Sequence, residues 1–596
     1  MKKFAALALA FAIAGAALPA EAAKPAGLKD VEQTASAESV DISIPALNKY
    51  NIIESKSFDV NVTMLNVGIT SKSYSIQVFC GDKLIASDQA IAEANTSAVK
   101  AVKVKDCDQG PQKIRVDVKS GGKKVSSNEY DINIIVPYQN QFMDWASGRG
   151  LCGYNSPYYW NLVGWQSPRT GNEWNGIEKT AGVYNFSGWE SEFAPYRKKG
   201  NRIVYLVTYN NPIYNGRTDI MARQYGPKTK EEFDAYAKYA AKVAELNPDI
   251  KYFELYNEPN IGFWKPNPNV DDYTYLCEVT AREIRKVRSD AIVTVGAMAG
   301  ANAAWPLNML RRNAYSSMDC ISYHPYVYPA KADISLQNSI SGIHDLILTE
   351  GGWKEGIVTE LGWPTHLGGT GISEEQQSIE FVKAYILLES NGVKVSQMYR
   401  MNDPGKNKDY NEDNFGMMRY DGSPKPTITS VKELNQRTQG GIYMGEIELA
   451  NNMKAYMYLV DQRLEVVAWN KAGSENAEDS ANFGTNLTAY DRYGNYAGSG
   501  SEITLGESPV YLEGFSNETI AKNLYYNVKK SLDHSKTKLS YLAENKGFNS
   551  VMNMLYEKAE GLKLDKMPTE AEAKECMDEY YGLAKKVCQM YKSGEL

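Results

Sequence analysis

Short runs in which apolar and polar residues alternate fill the chain from about residue 40 to 137. Ser57-Phe58-Asp59-Val60-Asn61-Val62-Thr63 is one, Tyr74-Ser75-Ile76-Gln77-Val78-Phe79 another, and Lys113-Ile114-Arg115-Val116-Asp117-Val118 a third. Turn signals at Gly81-Asp82 and Gly121-Gly122 separate them. A side-chain period of two puts the apolar set on one face, so these runs predict strands, and several short strands in succession predict an immunoglobulin-like β-sandwich.

From 138 to 440 apolar runs alternate with amphipathic helical patterns, which calls for a parallel sheet. Candidate strands fall at 142–146, 162–166, 202–207, 252–255, 292–295, 320–323, 356–359 and 394–399, with clear helical patterns at 230–246, 273–287 and 374–390. Eight strands of this kind predict a central (β/α)8 TIM barrel. From 441 to 516 the pattern returns to strands such as Lys454-Ala455-Tyr456-Met457-Tyr458-Leu459-Val460, read as a C-terminal accessory β-sandwich. The rest, 517–596, is rich in Lys, Glu and Leu and broken by Gly547 and Pro568, which predicts three helices in a C-terminal α-helical appendage. The fold class is therefore multidomain.

The first 22 residues read as a secretory signal: Lys2 and Lys3, an apolar stretch from Phe4 to Leu18, and Ala20-Glu21-Ala22 as a small-residue cleavage site. Residues 23–39 form a leader or linker. The expected location is periplasmic, cell-surface or extracellular. At 596 residues and 43% hydrophobic the chain has ample core for several domains. A net charge of −7 and no basic stripe exclude a nucleic-acid or anionic-membrane partner. The helical tail could serve a protein partner or self-association.

Seven Cys in an exported chain permit disulfides. Cys80 and Cys107 lie in the first β region and are the candidate pair. Cys576 and Cys588 sit on one predicted helix, roughly 18 Å apart, too far to bridge. No pair has zinc-site spacing, so neither metal nor organic cofactor is expected.

The candidate chemistry lies at two strand ends. Tyr252-Phe253-Glu254-Leu255-Tyr256-Asn257-Glu258-Pro259 closes the fourth strand, and Ile357-Val358-Thr359-Glu360 the seventh. Barrels present catalytic groups at the C-terminal ends of their strands. Strands four and seven nearly face each other across the mouth, so Glu258 and Glu360 can converge to about 5 Å, the separation at which one carboxylate attacks a glycosidic carbon and the other moves protons. Pro259 ends the strand, and Asn257 offers an amide to a sugar hydroxyl.

The segments Glu254-Leu255-Tyr256-Asn257-Glu258-Pro259-Asn260, Tyr323-His324-Pro325-Tyr326 and Thr359-Glu360-Leu361-Gly362-Trp363 resemble clan A glycoside hydrolases, and among them family 39 and related bacterial polysaccharide hydrolases. The resemblance covers roughly 140–515. It implies that Glu258 is the acid/base, Glu360 the nucleophile, and Asn257 a binder of the sugar 2-hydroxyl. His324 and Tyr326 match a strand-six pair beside the nucleophile. Where the clan often has a Trp on strand eight this chain has Tyr399, followed by Arg400, which could meet an anionic sugar. Arg169 is a candidate for the strand-two arginine. Trp165, Trp174, Phe263, Trp264 and Trp363 are candidate sugar platforms.

The implied activity is retaining hydrolysis of a β-linked poly- or oligosaccharide. Its rivals are a transglycosylase using the same carboxylates and a non-catalytic carbohydrate-binding or scaffold protein.

Overall fold

A computed structural model describes residues 39–560, apart from 141–147, 153–155, 313–316, 350–353, 451, 472 and 474–476, together with 569 and 571. The expected signal, nearly all of the leader, the strand at 142–146, the last tail helix and Cys576 and Cys588 lie outside the described residues.

Eight parallel strands close into a barrel. In chain order they are β1 (Gly148–Cys152), β2 (Ser167–Thr170), β3 (Val204–Val207), β4 (Tyr252–Leu255), β5 (Ile292–Ala299), β6 (Cys320–His324), β7 (Glu355–Val358) and β8 (Val395–Tyr399). Strands three to eight lie within a few residues of the positions that the pattern predicts. The second does not. Leu162 belongs to a short helix, Pro157–Val163, and β2 starts only at Ser167. Pro157 in its first turn and the left-handed Gly164 at its end are helix start and stop signals; the buried Leu162-Val163 pair packs from a helix.

The barrel interior follows the period of two along each strand. Val204, Tyr252, Cys320, Ile357 and Val395, with Ile292 beside them, form one apolar cluster with one residue from each of β3 to β8. Two residues on, Glu254, Thr294, Ser322, Thr359 and Gln397 make a polar layer, all buried. A further step up β6 and β8 reaches His324 and Tyr399. The barrel is thus greasy below and increasingly polar toward its C-terminal mouth, the end at which loops can add chemistry.

Before the barrel, a three-stranded and a five-stranded sheet share one apolar cluster that includes Val60, Ile76, Val102, Val116 and Ile134. Cys80 and Cys107 stand as thiols in hydrogen-bonding contact, with Cys80 Sγ 2.8 Å from Gln112 Oε1.

After the barrel, the described strands from Ile442 to Glu513 form a single six-stranded sheet, and among the described residues no second sheet packs on it as in a sandwich. Its strand Met453–Val460 is buried almost throughout, because both faces are covered. Tyr456, Tyr458 and Val460 join the barrel's own cluster, while Ala455, Met457 and Leu459 pack with Leu524, Val528 and Leu532 of the helix Asn517–Lys538. The helices Asn517–Lys538 and Lys546–Glu560 therefore supply the second layer that a sheet-on-sheet reading assigned to strands. Among the described residues no helix is long and apolar enough to cross a membrane.

Candidate active site

The backbone delivers Glu258 by an unusual turn. Tyr256 (φ 68) and Glu258 (φ 46) both occupy the left-handed region, which non-glycine residues adopt at a cost. Tertiary bonds hold them there: Tyr256 N donates to Val207 O at 3.1 Å and to the Tyr236 hydroxyl, and Glu258 N donates to Ala297 O at 2.9 Å. Pro259 follows. Glu360 comes off β7 directly after Thr359.

The two acids meet. Glu258, His324 and Glu360 each place a ligand atom within 4.8 Å of the other two. Their carboxylates are neither sealed nor open, with side chains 12% and 15% exposed, whereas His324 is fully buried.

Arg169 organises the floor of the site. Its Nε donates to Glu254 Oε2 at 2.6 Å, its Nη1 to Glu360 Oε1 at 2.5 Å and its Nη2 to Asn257 Oδ1 at 2.8 Å. The Asn257 amide also meets the Tyr209 hydroxyl. The Tyr326 hydroxyl donates to Glu360 Oε2 at 3.0 Å. Burial alone would push the Glu360 carboxyl up; the electrostatic pull of the His324 ring beside it, the Arg169 charge and the bonds from Tyr326 and Arg169 outweigh it and hold it below the ordinary range. Glu360 is therefore an ionised, oriented carboxylate.

His324 links the two halves. Its Nδ1 lies 2.8 Å from Glu258 Oε1 and 3.7 Å from Glu360 Oε2, and its Nε2 lies 3.0 Å from Thr359 Oγ1. Thr359 in turn donates to Glu254 Oε1 at 2.7 Å. The donor atoms of Glu258, His324 and Glu360 are close enough for a cation. Their inward lone pairs, however, already face Arg169, the Tyr326 hydroxyl and one another, which is the arrangement of an acid–base set.

At the rim the Tyr399 hydroxyl donates to Glu412 Oε2 at 3.2 Å, and Arg400 Nη1 lies 3.4 Å from the Tyr399 oxygen. Burial raises the Glu412 carboxyl, tempered by the Tyr399 bond, and the Glu360 charge adds to the rise. Cys152, at the end of β1, is buried near Glu360 and Arg169, and burial first, then the Glu360 charge, pushes its thiol well up.

Of the residues singled out in the sequence, Asn257, Glu258, His324, Tyr326, Glu360, Tyr399, Arg400 and Arg169 gather at this mouth. Trp264 and Trp363 do not present a face to it: both are wholly buried, as is Trp174, and Trp165 is nearly so. The Trp363 indole donates to Ala330 O and its ring packs by Phe381, and Trp264 packs between Tyr256 and Tyr273. Gly226 crowds Trp264 so closely that a Cβ there would fall 2.0 Å from the ring. These tryptophans are core side chains. Phe263 is partly exposed and stacks on Tyr209 with ring centroids 6.0 Å apart. The sequence reading gave no role to Glu254, Thr359, Cys152, Tyr209 or Glu412. For Glu254 and Thr359 the signal was available: each sits two residues above an apolar interior residue, on the inward period of its strand.

Fold and site together define a (β/α)8 barrel with a carboxylate pair at its C-terminal mouth. In fold the chain is similar to a family 39 glycoside hydrolase from the gut symbiont Bacteroides cellulosilyticus WH2, at 17% identity and a TM-score of 0.62, over 79% of this chain and 100% of that one. A monomeric β-xylosidase from Caulobacter crescentus CB15 matches at 13% identity and a TM-score of 0.47, over 63% of this chain and 97% of that one. A family 30 subfamily 8 xylanase from Clostridium acetobutylicum matches at 14% identity and a TM-score of 0.44, over 62% and 96%. No family model and no curated protein matches the chain.

Proposed function

We propose that this chain is an exported retaining glycoside hydrolase that cleaves a β-linked poly- or oligosaccharide by double displacement. One observation carries the reading: Glu258 and Glu360 bring carboxylate oxygens within 4.8 Å of each other at the barrel mouth. That is the short separation of a retaining pair, with too little room for a water between acid and base.

The roles follow from the surroundings. Glu360, kept ionised by Arg169 and Tyr326, attacks the anomeric carbon, while Glu258 gives a proton to the glycosidic oxygen and the aglycone leaves. Glu258, now a carboxylate, takes a proton from water, and the resulting hydroxide oxygen displaces Glu360 from the sugar. Asn257, with its carbonyl oxygen fixed on Arg169, is placed to offer its amide donors to a sugar hydroxyl. Tyr399 and Phe263 are the partly exposed rings suited to flank the sugar. The fold likeness to a family 39 glycoside hydrolase agrees with this chemistry. The paired N-terminal sheets support an immunoglobulin-like sandwich, and Lys2, Lys3 and the apolar stretch after them support export.

The test is a glycan-panel hydrolysis screen run with wild type, Glu360→Gln and Glu258→Ala, the anomer released being followed by proton NMR. The expected result is release of the same anomer as the substrate, with Glu360→Gln folded and several orders of magnitude slower. For Glu258→Ala, partial rescue by azide on activated aryl glycosides is expected. Activity retained in Glu360→Gln refutes the nucleophile assignment, and an inverted product refutes double displacement.

A further inference from the structure

We propose that Thr359 and Glu254 are positioning residues that fix the ring tautomer of His324, so that one proton is held between His324 and Glu258 for the leaving group. The inference rests on the reading of Glu258 as the acid.

The hydrogen-bond directions leave little freedom. Glu254 is fully buried, with Oε2 against the Arg169 guanidinium at 2.6 Å and Oε1 2.7 Å from Thr359 Oγ1. A carboxylate paired with arginine is an acceptor only. The single hydroxyl proton of Thr359 is therefore spent on Glu254. His324 Nε2, 3.0 Å from the same hydroxyl oxygen, must then be the donor. That leaves Nδ1 facing Glu258 Oε1 at 2.8 Å. Two bare lone pairs do not sit at that distance, so one proton lies between them.

With Nε2–H committed to Thr359, a neutral His324 has only a lone pair to show Glu258. It is satisfied when Glu258 carries the proton. The alternative neutral ring, bare at Nε2 and protonated at Nδ1, would donate to an ionised Glu258 and would set two acceptor atoms, Nε2 and Oγ1, against each other. The Thr359–Glu254 pair thus biases the resting site toward the acid form of Glu258. The same geometry helps the second half-reaction. Once Glu258 has passed its proton to the glycosidic oxygen, its carboxylate faces the Nδ1 lone pair, a repulsion relieved when Glu258 takes a proton from water. The acid lost in the first step is regained in the second, and the ring ends as it began.

The charged and titratable groups facing this pair are Arg169, Glu254, Glu360 and Tyr326, with Tyr209 and Glu412 further out. Replacing Thr359 by Val removes none of them.

The experiment uses the full-length enzyme with aryl β-glycosides of the sugar that the glycan panel identifies, spanning good and poor leaving groups. For Thr359→Val, kcat/KM for an activated nitrophenyl glycoside should fall only a few-fold, and for an unactivated alkyl or phenyl glycoside about a hundredfold, because only the latter needs the proton. The alkaline limb of the pH profile should move down by about one unit, and Thr359→Ser should restore it. Equal losses on all substrates with an unmoved alkaline limb would show a merely structural Thr359 and overturn the inference. Ring 15N NMR reads the wild-type enzyme itself, with His324→Asn used only to assign the signal: His324 should keep Nε2 protonated, and a bare Nε2 overturns the inference. Failure confined to these measurements leaves the proposed function standing. Loss of the proposed function itself would show in Glu258→Ala, as full activity on poor leaving groups.

Discussion

Arg169 bonds Glu254 and Glu360 at once, through Nε at 2.6 Å and Nη1 at 2.5 Å, so one guanidinium spans a carboxylate in the barrel wall and another at its mouth. Arg169→Lys keeps the charge but loses the fork that reaches three partners. Arg169→Met strands a buried carboxylate, a change that typically costs about 3–5 kcal/mol. The expected outcome is a large fall in Tm for Arg169→Met, a smaller one for Arg169→Lys, and a drop in kcat/KM of about a hundredfold or more in both. Thermal unfolding and steady-state kinetics on an activated aryl glycoside check it; a Lys variant with wild-type kinetics would contradict the three-partner role.

Glu360 sets the acid side of the pH profile. Its folded carboxyl lies below its unfolded value, so the stability its ionised form contributes is present above the unfolded value and is lost as pH falls through the folded one. The nucleophile accordingly stays charged at mildly acidic pH, and the acidic limb of kcat/KM should lie below about pH 4.3, the usual value for glutamate. Tyr326→Phe removes one hydrogen bond to that charge, which predicts a loss of about ten- to a hundredfold and a rise of the acidic limb. An unmoved limb in Tyr326→Phe would separate Tyr326 from the charge on Glu360.

The legible part of the site was the part written along single strands. Glu258 and Glu360 close runs whose period and turn residues announce a strand end, and His324 and Tyr326 follow a third. The glue between strands was less so. Arg169 binds Glu254, Asn257 and Glu360 from three places in the chain, and β2, the strand that carries it, hides behind a short helix whose buried Leu162 and Val163 imitate a strand. Tryptophans misled for a simpler reason: an indole is as suited to a core as to a sugar, and only packing against Ala330, Phe381 or Gly226 tells which. The C-terminal sheet was readable as strands, but the covering of each face depends on long-range contacts that a local period of two does not encode.

Glu465 predicts a stability change on the alkaline side. It is 2% exposed on the strand Arg463–Asn470, with Arg437 Nη1 3.0 Å away. Arg437 is shared with Glu433 and Glu513, each at 2.7 Å. Burial pushes the Glu465 carboxyl up to about 8, against the pull of Arg437 and with the help of Glu513. A raised folded value means stability that is complete below the unfolded value of about 4.3 and is lost as pH climbs toward the folded one. Wild type should therefore lose stability relative to Glu465→Gln between about pH 5 and 8, as read from denaturant midpoints across that range. Parallel curves for the two proteins would show that Glu465 is already ionised at pH 5.

The sheet that follows the barrel should prove inseparable from it. Tyr456, Tyr458, Val467, Trp469 and Tyr511 belong to the barrel's own apolar cluster, and the helix Glu374–Ser390 is buried on both sides between barrel and sheet. Arg149 on β1 clamps the junction: it donates to Glu389 at 2.6 and 2.7 Å, and the Tyr458 hydroxyl donates to the same carboxylate at 2.8 Å. A chain ended at residue 440 would expose that face of the barrel and leave Glu389 without Tyr458, so it should express as aggregate or as a protein of much lower Tm. Arg149→Met in the full chain leaves Glu389 buried without its cation and should cost about 3–5 kcal/mol while the carboxylate pair at the opposite end stays in place. Its Tm should therefore fall while kcat/KM below that Tm stays near wild type. A truncated barrel that is monomeric, unfolds cooperatively and hydrolyses at the wild-type rate would show instead that the sheet is an appendage.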